Sequence, residues 1–168
     1  MLAGNTPTSG PSDYESISTI TVGSGGSTTI TFSSIPSTYS HLQLRIVANS
    51  GGDRLQFNSD TGSNYARHYI YGSGSAASAG GSSNTTYAAV GDYTTTASFF
   101  PGTIVDILDY ANTNKYKTVR SYTGFDNNTQ GEVFQFSGHW RSNSAISSIT
   151  ITGGTMAQYS TYALYGVK

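Results

Sequence analysis

Hydrophobic residues in this chain recur with a period of two, in short runs broken by Gly, Ser, Asn and Thr. In HLQLRIVA (41–48), Leu42, Leu44 and Ile46 alternate with His41, Gln43 and Arg45. Such alternation is the signature of a strand with one face in a core. In YESISTITV (14–22), Ile17 and Ile20 sit among β-branched threonines, and GSGG then leads into STTITF (27–32). These two runs predict a hairpin. After the turn residues NSGGD, RLQFN (54–58) predicts a short partner strand with Leu55 and Phe57 on one side.

The segment NSDTGSNYARHYIYG (58–72) runs a strand end through a Gly/Asn turn into an aromatic-rich strand, ARHYIYG (66–72). Residues 72–85, GSGSAASAGGSSNT, carry no pattern and predict a long exposed loop at one end of a sandwich. TYAAVGDY (86–93), GTIVDILDY (102–110), YKTVRSYTG (116–124), EVFQFSGHW (132–140), AISSITIT (145–152) and TYALYGV (161–167) supply further strands. The pairs Ile104-Val105 and Ile107-Leu108 depart from strict alternation and invite a bulge. About ten short strands with Gly/Asn/Ser turns predict an all-β fold, an antiparallel β-sandwich of the jelly-roll kind, ahead of an immunoglobulin-like one. No stretch holds a helical period, and no fixed spacing signals a solenoid or propeller. Residues 1–13, MLAGNTPTSGPSD, predict a flexible N-terminal arm, and residues 14–168 a single sandwich domain.

Composition sharpens this picture. The residues are 36% hydrophobic and 12% aromatic, enough for a core, yet only 10% are charged, against roughly 25% in ordinary soluble domains. Hydroxyls, amides and 20 glycines fill the deficit. A surface of that kind is buried against a neighbouring subunit at less cost than a charged one. A formal charge of −1 argues against a strong electrostatic grip on nucleic acid or an anionic membrane. Without cysteine there are no disulfides and no thiolate chemistry, which fits assembly in a reducing cytoplasm. Met1-Leu2-Ala3 leads straight into polar text, with no signal-peptide pattern and no apolar run of membrane-spanning length.

Candidate chemistry is sparse. His41, His68 and His139 fall in different predicted strands and form no paired metal-ligand spacing. Asp106 and Asp109 invite comparison with a glycosidase pair, but three residues apart on a strand they point to opposite faces. Asp106 is a candidate partner of Lys117 or Arg120, and Asp109 reads as a strand-end residue. Asp53, Asp60 and Asp126 lie in turn-prone text with oxygen ligands suited to calcium, although Asp and Asn are expected in turns without metal. No G-x-S-x-G elbow and no Walker lysine accompany the serines and glycine runs. The reading is a non-enzyme with no assigned catalytic, metal or cofactor site. Thirteen tyrosines, among them Tyr65, Tyr69, Tyr71, Tyr159, Tyr162 and Tyr165, together with Trp140, suit core packing and subunit contact. A sugar-binding aromatic surface is the alternative.

The series YESISTITV, ITFSSIPSTYSHLQLRI, LQFNSDTGSNYARHYIYGSG, VDILDYANTNKYKTVRSYTG, WRSNSAISSITIT and YALYGVK resembles small virion structural domains of tailed bacteriophages, including phages of cyanobacteria. These are capsid decoration (cement) proteins or modules of tail proteins. The resemblance covers most of the chain after Tyr14. It implies a β-sandwich that oligomerises as a homotrimer and binds the major capsid protein or another virion structural protein. It supplies no catalytic residues. It also implies a location on the capsid surface after assembly in the host cytoplasm, without nucleic-acid or membrane partners. The expected layout, a module with a short arm and without a shaft-forming extension, favours a cement protein over a tail-associated receptor- or carbohydrate-binding module, for which glycan is the expected ligand. The expected contact residues are Leu2, Pro7, Pro11 and Asp13 in the arm and Ser73 and Asn84 in the 72–85 segment. Tyr65, His68 and Trp140 join them as residues of either core or strand rim.

Overall fold

The computed structural model describes residues 13–91 and 98–168. Leu2, Pro7 and Pro11, with the rest of the expected arm before Asp13, lie outside the described residues, as does the end of the run 86–93.

Twelve strands form among the described residues. They are β1 (Tyr14–Thr21), β2 (Ile30–Phe32), β3 (His41–Val47), β4 (Arg54–Phe57), β5 (Tyr65–Gly72) and β6 (Ala77–Thr85). After these come β7 (Ala88–Ala89), β8 (Gly102–Leu108), β9 (Lys117–Asp126), β10 (Gly131–Trp140), β11 (Ile149–Thr152) and β12 (Thr161–Val167). Eight of them build one sheet in the order β1-β12-β3-β8-β9-β10-β5-β6, and four build another in the order β2-β11-β4-β7. Every pairing is antiparallel. The all-β, two-sheet architecture expected from the alternation is therefore present.

The alternation in β3 does what its period requires. Leu42, Leu44 and Ile46 are buried, and they meet Ile30, Phe32, Leu55, Phe57, Ile149 and Ile151 of the four-stranded sheet in one core. Val105 and Ile107 of β8, Val119 of β9, and Tyr162 and Leu164 of β12 extend the same layer. Burying each such aliphatic side chain contributes about 1.5–3 kcal/mol. A second, smaller cluster gathers Ala89, Phe134 and Phe136 with Tyr69, Tyr71 and Tyr87 where β5 and β10 run past the short β7.

Four local expectations are corrected. Runs 14–22 and 27–32 do not form a hairpin: β1 pairs with β12, and β2 pairs with β11 in the other sheet. Likewise β4 is no partner of β3 but pairs with β11 and β7. In both cases the connection changes sheets, so that apolar faces on consecutive strands close over one core. Residues 72–85 are not a long loop, because residues 73–76 make a tight turn and the rest is the nine-residue strand β6. Its side chains are mostly small and none is buried, which leaves no hydrophobic period to read. Finally, β8 needs no bulge. Its register with β3 and β9 is unbroken, and Ile104 simply faces outward.

Candidate functional site

The turn joining β4 to β5 is a closed polar knot. Asn58 and Ser59 both take positive φ (52° and 58°), a conformation Asn tolerates better than most residues. The Asn58 side chain then ties down a distant segment: Oδ1 accepts from the backbone N–H of Ser147 (2.9 Å) and Ser148 (3.2 Å), and Nδ2 donates to the Ala145 carbonyl (2.8 Å). Asp60 accepts from the Trp140 indole N–H (2.7 Å), the Asn64 amide (3.0 Å) and the Gly62 N–H (2.8 Å). Burial opposes its ionisation, but these three donors outweigh that effect and hold its carboxyl below the usual range. The Tyr65 hydroxyl donates to the Asp60 carbonyl and accepts from the Phe57 N–H, both at 3.0 Å. Burial pushes its pKa up to about 12.

Asp60 is thus fully engaged as a structural acceptor. Among the described residues, no group of three or more His, Cys, Asp or Glu is placed to hold a metal ion. Tyr65 and Trp140 are core residues: both are buried, with stacked rings 6.3 Å apart that pack against Phe57. That placement removes them from the exposed contact set.

The other expected contact residues are dispersed. Asn84 sits in a bulge of β6 with φ of 58°, where its Oδ1 accepts from Arg141 (2.6 Å). Ser73 lies at the opposite end of β6, in the turn closed by its N–H to the Ala76 carbonyl (2.9 Å). His68 is exposed in mid-β5. Asp13 is exposed beside β1, at the far edge of the sheet. Seven strand spacings separate that edge from β6, about 34 Å at the usual spacing. These residues do not converge on one site.

A different surface does converge. The outward face of the eight-stranded sheet presents Val47, Ile104, Tyr122, Val133 and Ile70, each 47–60% exposed. Register aligns them in two adjacent rows. One runs Arg45, Ile104, Tyr122, Gln135, Ile70 and Ala79 from β3 to β6. Beside it run Val47, Gly102, Gly124, Val133, Gly72 and Ala77. Val47 and Ile70 are four strand spacings apart, roughly 19 Å, so the apolar band crosses most of the sheet. Gly102 and Gly124 lower its middle, and the space above Gly102 is open. Small apolar residues and two shallow grooves flank Ile70, lined by Ala79, Gln135 and Tyr122 among others.

A polar row borders the band. Gln43 donates to Asp106 (2.9 Å) and accepts from Arg45 (2.8 Å). The Arg45 guanidinium in turn lies over the rings of Tyr165 and Tyr14, 4.7 and 5.2 Å from their centroids. Arg120 is the cross-strand neighbour of Asp106, but among the described residues no ion pair joins Asp106 to Arg120 or to Lys117. Lys117 is buried instead, bonding the Asn112 and Lys115 carbonyls, and burial lowers its pKa. Asp109 occupies the turn after β8, paired with Lys115.

The sequence reading missed this band, although a signal for it was present. Ile104-Val105, Val133-Phe134 and Tyr69-Ile70-Tyr71 are runs that stay apolar on both faces of a strand. Such runs mark strands whose second face is also covered. A contiguous exposed apolar band of this kind is characteristic of an interaction surface. No family model, no curated protein and no solved structure matches this chain.

Proposed function

We propose that this chain is a virion structural protein, a capsid cement or decoration protein that binds the major capsid protein through the outer face of its eight-stranded sheet. The observation that carries the reading is the band of Val47, Ile104, Tyr122, Val133 and Ile70, exposed in the isolated chain and poor in charge. Its cover is a protein surface: the face is broad and shallow, where small-molecule sites are concave. Many modest contacts repeated over a shell stabilise it by multivalency, and binding only the assembled lattice lowers the free energy of that state. The homotrimer implied by the sequence resemblance belongs to the same proposal.

Connectivity supports a jelly-roll description. The order β2-β11-β4-β7 in one sheet faces β3, then β8 to β10, then β5-β6 in the other. If β8, β9 and β10 are taken as one widened position, the chain changes sheets at each step expected of eight strands wound as two Greek keys. Strands β1 and β12 then extend one edge.

The test is co-sedimentation with purified shells. Ile104→Lys with Tyr122→Lys changes two exposed side chains, so the fold should persist by circular dichroism while shell binding is lost. Undiminished binding by the folded variant would refute the face as the contact.

A second reading, a tail-associated carbohydrate-binding module, is favoured by one feature. A cleft of about 380 Å³ is lined by the half-buried Tyr69 and Tyr71 with Asp53, Arg67 and Glu132, and by the buried Phe134 and Phe136, offering two tyrosine rings and polar groups for sugar hydroxyls. It predicts saturable binding to host-surface glycan that Tyr71→Ala abolishes. A flat response on titration with that glycan would remove it.

A further inference from the structure

The two open edges of the eight-stranded sheet differ in kind. At one edge, β1 carries a bulge between Ser16 and Ser18, and its Glu15 is tied to Tyr39 (2.9 Å) and Lys168. Bulges and charges are the usual devices that stop an edge from recruiting another strand. At the other edge, β6 has neither in its main run. Ala77–Ser83 pairs with β5 in unbroken register, and the bulge comes only afterwards, at Asn84. The run ASAGGSS holds no charge, no proline and no side chain larger than serine.

Its centre is flanked by side chains of β5. A β-carbon on Gly80 would run into the Tyr69 hydroxyl, and one on Gly81 into the His68 imidazole. Neighbouring residues of a strand face opposite ways, so the two β5 rings cover the glycines from the two faces of the sheet. Among the described residues, no strand lies beside the outward N–H and C=O groups of β6.

We infer that β6 is a pairing edge for a second copy of this chain, joined antiparallel across a two-fold axis at Gly80. A two-fold perpendicular to the sheet sets residues opposite when their numbers sum to twice that of the axis residue. Ala77 then faces Ser83, Ser78 faces Ser82, and Ala79 faces Gly81. No charge on this strand stands to repel its copy in that register. The formal charge of −1 keeps long-range repulsion between copies small as well. A single strand pair buries less than the roughly 800 Å² per partner of a stable complex, so the dimer is weak alone and forms at high local concentration. The contact does not depend on what covers the outer face, and a two-fold link can equally join copies in neighbouring oligomers.

Cysteine cross-linking and sedimentation test it. The chain has no native cysteine, and positions 78 and 82 of one strand lie about 13 Å apart, too far for a disulfide within a copy. Ser78→Cys with Ser82→Cys should therefore give a disulfide-linked dimer under mild oxidation, with the bond mapping between residue 78 of one copy and 82 of the other. Ser78→Lys with Ser82→Lys should weaken self-association measured by ultracentrifugation about tenfold. Mixing that protein with Ser78→Glu/Ser82→Glu should restore it. Circular dichroism melts serve as the folding control for each variant. A monomer at all concentrations with no 78–82 cross-link overturns the inference, as does self-association indifferent to both charge variants.

Discussion

Residues 58–65 (NSDTGSNY) and residues 77–83 (ASAGGSS) are both short stretches built mainly of small side chains, yet they are opposite kinds of structure. In the first, the key polar groups turn inward: Asn58 holds 145–148, Asp60 holds Trp140, and Tyr65 closes the turn on itself. In the second, one side of the backbone pairs with β5 and, among the described residues, no strand pairs with the other. Small side chains alone therefore do not separate a knot from an edge. What separates them is whether a large buried group, here the indole of Trp140 and the ring of Tyr65, lies within reach to be satisfied.

This contrast is broken most strongly at Asp60. Asp60→Ala strips the buried indole of its acceptor and two other donors of their partner, and should lower stability by about 2 kcal/mol in chemical denaturation. Asn58→Ala should follow at about 1–2 kcal/mol, from the lost hydrogen bonds to Ala145, Ser147 and Ser148 and an unfavourable φ. Asn58→Gly relieves the backbone part and should lose less. Equal losses for the two Asn58 variants would show that the backbone conformation contributes nothing.

A pH titration sharpens the same point. The Asp60 carboxyl titrates lower in the folded chain than in the unfolded one. It therefore contributes stability above the ordinary carboxylate range, and that contribution is lost as pH falls through the folded pKa. Asp60→Asn should lower stability at neutral pH and flatten its decline in acid. An acid limb parallel to wild type would assign the decline to other carboxylates. Smallest of all, Ser83→Ala on β6 should change stability by less than about 0.5 kcal/mol. A loss there as large as that of Asn58→Ala would erase the distinction between knot and edge.

The legible part of the fold was the part where one face is buried. In β3 the period of two is complete because Leu42, Leu44 and Ile46 go inward while Arg45 and Val47 stay out. Strand partners were not legible, since β1 and β2 find β12 and β11 more than a hundred residues away, and no local pattern encodes that choice. Strand β6 was invisible because neither of its faces carries a large apolar residue. The interaction band was legible only as a defect in alternation, at Ile104, Val133 and Ile70, where apolar residues stand on the face that solvent should claim. Lys117 gave no sign of burial, because two backbone carbonyls rather than a carboxylate receive it.

The central claim is that this outer face is covered by a capsid shell. Cryo-electron microscopy of the particle that carries the chain tests it most directly. The account predicts density between capsomers, with Ile104, Tyr122 and Ile70 against the shell and out of solvent. Density at the tail, or on the capsid with this face turned to solvent, would contradict it.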